Sequence, residues 1–261
     1  MTPLEAVLIA VAGLAAGTIN TVVGSGTLVT FPTLLFFGYA PVSANVSNSL
    51  GLVAGGISGA WGYRRELSGL RSTVLALVPA SLTGGVLGAL LLLVLPESAF
   101  EAIVPVLIGV ALVLVVLGPR LNRWAASRRG EGGSGPSPAG WGGPRGVALL
   151  VGVLLGGVYG GYFGAAQGVL LVGLMGALLP LGLQQINAVK NVLALVVNLV
   201  AALVFLVVQP EQIDWLVALL IAAGSTAGGV LGARVGRSMP SWLLRGVIIV
   251  IGLVAIAVLL T

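Results

Sequence analysis

Lys190 is the only lysine in the chain and the only charge deep inside an apolar run, the one from Leu183 to Val208. An ammonium there costs roughly 2.5–3.5 kcal/mol on the insertion scale, so it calls for a partner. The seven acids lie elsewhere: Glu5, Glu97, Glu101, Glu211 and Asp214 near one set of run ends, Glu66 and Glu131 in polar connections. An anionic substrate is then the expected counter-ion. The competing reading is snorkelling, because Lys190 lies about seven residues, or ~10 Å of helical rise, from the polar end near Leu183.

Neutral hydrogen-bonding residues gather around the same depth. Asn20, Thr21, Ser25 and Thr27 flank Gly24 and Gly26, and Ser43, Asn45, Ser47, Asn48 and Ser49 follow. Further on, Tyr159, Tyr162 and Gln167 flank Gly164, followed by Gln184, Gln185, Asn187, Asn191 and Asn198. Glycines without a Cβ would let backbone amides approach an anion, which helix N-termini favour. The plainer alternative is that such residues join membrane helices to one another.

Composition sets the elements that must hold these residues. Of 261 residues, 58% are hydrophobic and 7% charged, against about 25% charged in soluble domains; the mean hydropathy is +1.15. That excludes a soluble globular protein. Without Cys or His, disulfides, thiol or imidazole catalysis and the usual zinc or haem ligation are excluded, and no cofactor or metal site is expected. The net charge of +5 is spread too thinly for nucleic acid and instead marks cytoplasmic loops. Gly supplies 41 residues, as expected where helices approach closely in lipid.

A span needs ~20 apolar residues. The first half offers Leu4 to Val22, Thr27 to Phe37, Ser43 to Tyr63, Leu70 to Leu95 and Ser98 to Gly118; the second offers Gly146 to Phe163, Ala165 to Leu179, Leu183 to Val208, Ile213 to Ala233 and Ser241 to Leu260. The second member of each set is short, so each half opens with an interrupted hairpin, pinched at Gly24-Ser25-Gly26 and at Gly164-Ala165-Ala166. Hydropathy leaves open whether it crosses or re-enters.

The halves resemble each other in letters. Ser81 to Pro96 matches Ser225 to Pro240 at eight of sixteen positions, offset 144, and Val46 to Val53 matches Val189 to Val196 at five of eight, offset 143. Gly17 and Gly24 align with Gly157 and Gly164 at offset 140. Ordered windows with drifting offsets indicate an internal duplication.

Basic residues in short loops stay cytoplasmic. Arg64, Arg65 and Arg71 with Glu66 follow the third segment of the first half, whereas Glu211 and Asp214 follow its counterpart. Glu97 and Glu101 mark the next loop, and Arg234, Arg237 and Arg245 its counterpart. Equivalent loops of opposite sign predict an inverted-topology repeat with both termini outside. The fold expected is an all-α polytopic membrane protein of two such repeats, residues 1–118 and 146–261, each an interrupted or re-entrant hairpin plus three spanning helices, eight to ten segments in all. Residues 119–145 form a cytoplasmic linker, Gly/Ser/Pro-rich from Ser127 to Gly143, with Trp124 and Trp141 at headgroup level. No secretory signal is expected: the apolar start lacks a basic flank, and losing the first helix would break the repeat.

Broken helices in inverted repeats are a transporter architecture with a midplane site. The residues expected to line it are Asn20, Thr21, Gly24, Ser25, Gly26, Thr27, Asn45, Asn48, Tyr162, Gln167, Asn187, Lys190 and Asn191. No intramembrane carboxylate or His is available for proton coupling. That leaves facilitated diffusion, a proton carried on the substrate, or Lys190 exchanging one as it alternates in contact with water.

The opening Gly13-Leu-Ala-Ala-Gly17-Thr-Ile-Asn20-Thr-Val-Val-Gly24-Ser25-Gly26-Thr27-Leu-Val-Thr-Phe-Pro32, then Ala44-Asn45-Val46-Ser47-Asn48-Ser49 and a duplicated half with Lys190, resembles the sulfite exporter TauE/SafE family of membrane permeases over nearly the whole chain. The resemblance implies movement of small sulfur-containing anions, such as sulfite, sulfonates and thiosulfate, or other organic anions across the bacterial cytoplasmic (inner) membrane. By position, Gly24 to Thr27 and the region of Asn48, Lys190 and Asn191 would face the substrate. The chain departs from a symmetrical pattern at Phe163-Gly164-Ala165-Ala166-Gln167-Gly168, and at Val172-Gly173 opposite Phe31-Pro32. The partners expected are a small anion and the lipid bilayer, with a homodimer left open and no nucleic acid. A passive anion channel, a membrane scaffold and a Ser-Lys intramembrane enzyme are the competing classes.

Overall fold

The structure, a computed structural model, describes residues 1–127 and 143–235 and the single positions 246, 249, 250 and 253. Among these residues the order is α1 Pro3–Val22, α2 Thr27–Phe36, α3 Pro41–Gly62, α4 Arg71–Val94, α5 Glu97–Ser127, α6 Pro144–Tyr162, α7 Gln167–Leu178, α8 Leu183–Val208 and α9 Trp215–Val235, with a single 3₁₀ turn at Pro210–Gln212 and no strand. Apart from those four single positions, the expected span from Ser241 to Leu260 lies outside the described residues, as do Arg237, Arg245, most of the linker including Trp141, and the side chain of Trp124.

Local chemistry sets the helix ends. Thr2 and Glu5 form a reciprocal capping box around Pro3 at the start of α1, and Pro41 and Pro144 open α3 and α6. α1 and α6 stop because Gly24 (φ +89°) and Gly164 (φ +79°) turn the chain left-handed, a geometry glycine adopts without steric cost. The helices that follow have 10 and 12 residues, about 15 and 18 Å of rise. Each therefore reaches roughly halfway through a ~30 Å hydrocarbon core. α5 continues past Gly118 to Ser127, so the first part of the linker is helical.

Six described helices are long and apolar enough to cross a membrane: α1, α4, the part of α5 up to Leu117, α6, α8 and α9. α3 matches them in length but carries Asn45, Ser47, Asn48 and Ser49, all buried. The outside of the bundle is apolar. Leu4, Val7, Leu8, Val11 and Leu14 make an exposed stripe on α1, and Val106, Val110 and Val113 do so on α5. The helices thus turn their greasiest face outward and their polar residues inward, as a lipid solvent requires.

Packing exchanges partners between the halves. α1 lies against α9, α6 against α4, α3 against α9 and α8, α4 also against α8, and α5 against α7. The duplicated Ser-x-x-Gly-Gly-x-x-Gly-Ala motif forms the seams. A Cβ on Gly84 or Gly88 would meet the carbonyl oxygens of Leu154 or Val158 at 2.2 and 2.1 Å, and one on Gly228 or Gly232 those of Leu14 or Thr18 at 2.1 and 2.8 Å. Backbones this close are what small residues allow in membranes. Ser81 Oγ donates to Leu193 O at 3.1 Å, and its duplicate Ser225 Oγ donates to Gly51 O at 3.0 Å.

The two ends of the bundle differ in charge. At one end Gln212 Nε2 donates to Glu97 Oε1 at 3.1 Å and Ser43 Oγ to Gln212 O at 2.8 Å. Partial burial and the nearby carboxylates of Asp214 and Glu5 hold the Tyr39 hydroxyl above its usual pKa there. At the other end Tyr63, Ala188 and Ala233 pack together beside Leu67, next in sequence to Arg64, Arg65, Arg71 and Arg234.

Candidate functional site

The two chain breaks meet inside the bundle. Gly168 N–H donates to Gly24 O at 3.1 Å, and a Cβ added to either glycine would lie 2.4 Å from the other's Cα. Gly26 is equally confined, with Ala16 O at 2.5 Å from its would-be Cβ. Where the Cβ atoms of Gly24 and Gly26 would stand, neighbouring backbone already lies. Ala166, next to Gln167 at the start of α7, is the one non-glycine described at positive φ, 61°, whereas its counterpart Gly26 is right-handed at −59°.

On one side of this contact α8 caps α1. Lys190 is fully buried, and its Nζ donates to Asn20 O at 2.9 Å and Thr21 O at 3.1 Å. Asn191 Nδ2 donates to Thr21 O at 3.2 Å and Asn187 Nδ2 to Val22 O at 3.3 Å. The last carbonyls of a helix have no partner within it and carry its negative partial charge. Lys190 therefore does not snorkel: the end of α1 supplies part of the compensation that a count of acidic side chains leaves missing. An ammonium has three N–H donors, and among the described residues only two are used. No described carboxylate bonds to it.

On the other side α3 caps α6. Asn45 Nδ2 donates to Tyr162 O at 3.0 Å. Asn48 Nδ2 donates to Thr27 Oγ1 at 3.4 Å, and Thr30 Oγ1 donates to Asn48 Oδ1. Asn48 and Asn191 are duplicates at offset 143, and Lys190 is the duplicate of Ser47. Ser47 Oγ accepts from Asp214 N–H at 2.8 Å instead. The two halves thus use the same helix for the same purpose, and a charge enters only in the second.

Hydrogen-bonding capacity is left over at this junction. The side-chain atoms Ser25 Oγ, Asn45 Oδ1, Tyr159 OH, Tyr162 OH, Gln167 Nε2 and Asn187 Oδ1 are buried with no partner among the described residues. The amides of Ser25, Gly26 and Thr27 likewise find no acceptor there. Buried orphan groups are costly and mark places where water or a ligand completes the bonding. Donors outnumber acceptors in the strip from Ser25 to Lys190, which suits an anion. The stem of Lys190 passes beside Gly168, its Cδ 2.8 Å from a would-be Cβ there, so ammonium, Gly24 and the start of α2 are neighbours. Phe31, Phe100, Tyr162 and Phe163 form an edge-to-face cluster that closes the α2 and α6 side.

Of the residues expected to line the site, Thr21 contributes its carbonyl, since its Oγ1 lies 2.6 Å from a would-be Cβ on Gly59. Asn20 likewise contributes its carbonyl, and Gln167 lies against Gly160. Sequence reasoning missed Thr30, one helical turn from Thr27 on α2. It also missed Gly168 and the carbonyl of Val22, which letters do not display.

The family model described as Sulfite exporter TauE/SafE matches residues 9–259. A protein of Haemophilus influenzae named "Probable membrane transporter protein" is 27% identical over 242 residues, covering 91% of this chain and 88% of its own. "Probable membrane transporter protein YfcA" of Escherichia coli K12 is 26% identical over 246 residues, 94% and 86% of the two chains. "Probable membrane transporter protein ORF9" of a Sinorhizobium is 26% identical over 243 residues, 93% and 87% of the two. No solved structure matches the chain.

Proposed function

The chain belongs to the sulfite exporter TauE/SafE family of membrane transporters, and from that premise we propose that it carries a small anion, a sulfur oxyanion or organosulfonate such as sulfite, by alternating access at the junction of its two breaks. The observation that carries this reading is Lys190: a fully buried ammonium beside unpaired donors, with no carboxylate bonded to it among the described residues. A sulfonate or sulfite brings several acceptor oxygens and a charge, so it would take the third ammonium N–H, Ser25 Oγ and the orphan amides of Ser25, Gly26 and Thr27 together.

We read the two halves as inverted repeats in the cytoplasmic membrane, with both termini outside. What supports this is the orientation of α3 and α8, which are duplicates. α3 begins at the acidic end, through Ser43 and Gln212, and finishes at Tyr63 beside Ala188, near the start of α8. α8 finishes beside the turn holding Gln212. Basic residues crowd the end marked by Tyr63, which the positive-inside rule assigns to the cytoplasm. Cysteines introduced at exposed Ser68 and Glu211 should separate the sides: an impermeant thiol reagent added to intact cells labels Glu211→Cys and spares Ser68→Cys until lysis. The opposite pattern overturns the orientation.

Substrate is tested on purified protein by thermal shift with sulfite, thiosulfate, sulfate, taurine, sulfoacetate and carboxylates, followed by counterflow in proteoliposomes. At least one sulfur anion is expected to raise the melting temperature and to show saturable, trans-stimulated uptake. Flux that neither saturates nor responds to trans substrate would make the protein a channel, and the absence of both shift and flux would make it a scaffold.

A further inference from the structure

A groove of about 630 Å³ opens on the outer surface of the bundle between α3, α8 and α9. Its walls are apolar, with Ala54, Ile57, Leu195 and Val230, and its end is polar, with Trp61 and Arg64. Ile57 and Trp61 are 56% and 68% exposed. From Ala54 to the end of α3 at Gly62 is eight residues, about 12 Å of helical rise, and the turn that follows carries Arg64. The groove therefore runs from the turn towards the middle of a ~30 Å hydrocarbon core, close to the depth of one lipid leaflet.

The shallow end is built for an anion at the membrane surface. Arg64 lies over the Trp61 ring with its Cζ 4.9 Å from the ring centre, and its Nη1 donates to Trp61 O at 3.1 Å. That leaves most of the five N–H donors of the guanidinium free. Arg65 and Arg71 follow in the same connection, against a single acid, Glu66. Trp is the residue enriched at headgroup level, and Arg binds phosphate with matched, forked geometry. Within the groove Ser58 Oγ is committed to Gly55 O and Thr226 O, each at 3.0 Å. A polar solute would find few unspent groups below the mouth.

We infer that this groove is a binding site for one anionic phospholipid of the inner leaflet, its phosphate on Arg64 beside Trp61 and an acyl chain along α3, α8 and α9. The assignment is separate from the transport reading. It depends on the apolar depth, the length of one leaflet and a net positive mouth, and its choice of the inner leaflet rests on the orientation proposed above.

Native mass spectrometry of the purified full chain tests it, with phosphatidylglycerol and phosphatidylcholine of identical acyl chains supplied at equal concentration. The parent is expected to hold a single phosphatidylglycerol about fivefold more tightly than phosphatidylcholine, from one basic residue at the surface. Arg64→Gln should bring the two lipids to equal occupancy, whereas Arg145→Gln, at the exposed start of α6, should leave the preference intact. Ala54→Phe, which fills the deep end, should lower occupancy by both lipids. The inference is overturned if the parent shows no headgroup preference, if Arg64→Gln keeps it, or if Arg145→Gln removes it equally. It is also overturned if the groove is covered by a second copy, seen as a lipid-free dimer that Ala54→Phe disrupts.

Discussion

Lys190→Met is expected to lose saturable anion uptake, lowering it about 10- to 150-fold, the factor that corresponds to removing a charged hydrogen-bond partner worth roughly 1.5–3 kcal/mol. The protein should still fold. Removing the ammonium relieves a burial cost of roughly 2.5–3.5 kcal/mol, while leaving the Asn20 carbonyl without its donor costs about 1–3 kcal/mol; Thr21 O keeps its bond from Asn191. These terms nearly cancel, so lost transport in Lys190→Met cannot be put down to lost structure. Lys190→Arg keeps the charge but brings a planar fork into a slot walled by Gly168, and should retain only part of the activity. Lys190→Ala empties the slot from Cγ outward, the shape of propylammonium, and that cation added at millimolar concentration should restore part of the uptake. The measurement is initial rate against anion concentration in proteoliposomes at matched protein incorporation. Parent-like saturation in Lys190→Met would remove the residue from the substrate site and leave it as the cap of α1.

The second large effect is at the contact of the breaks. Gly24 and Gly38 share a left-handed backbone, φ +89° and +82°, but a Cβ on Gly24 meets Gly168 Cα at 2.4 Å while one on Gly38 meets nothing within 4 Å. Gly38→Ala should therefore show the conformational cost alone, about 1–2 kcal/mol. Gly24→Ala adds overpacking of about 1–3 kcal/mol or more, and Gly168→Ala isolates that second part. In thermal unfolding of the purified variants, Gly24→Ala should lower the melting temperature at least twice as far as Gly38→Ala. Equal shifts in the two would mean that the breaks do not touch.

How much of this was legible in the letters depends on which atoms did the work. Helix ends followed from residues that announce themselves: Pro3, Pro41 and Pro144 at starts, Gly24 and Gly164 at stops; described bounds agreed with the apolar runs to within a few residues except at the end of α5, which runs nine residues past Gly118. The polar junction was legible too, because Asn and Lys stand out in an apolar run. The partner of Lys190 was not, because it is main chain. Counting acids finds side-chain partners and overlooks the carbonyls at the end of α1, whose availability depends on where that helix stops and what lies across from it. For the same reason the letters of Gly24 and Gly26 do not show that another stretch of backbone lies where their Cβ atoms would be. The matching letters at Ser81 and Ser225 suggest a repeat but not its use, since a small-residue face is silent about which helix lies on it.

That use has a consequence for how the molecule is made. α1 leaves the ribosome first, yet the face it needs is on α9, and from Val22 to Trp215 is 193 positions. At about 5–20 residues per second of synthesis, the first helix waits some 10–40 s in the bilayer with its glycine face uncovered. α4 waits a shorter time for α6. Neither half can close on its own, so assembly is a late, collective event. The carbonyls of Asn20 and Thr21 meet Lys190 only after the second half has begun to arrive.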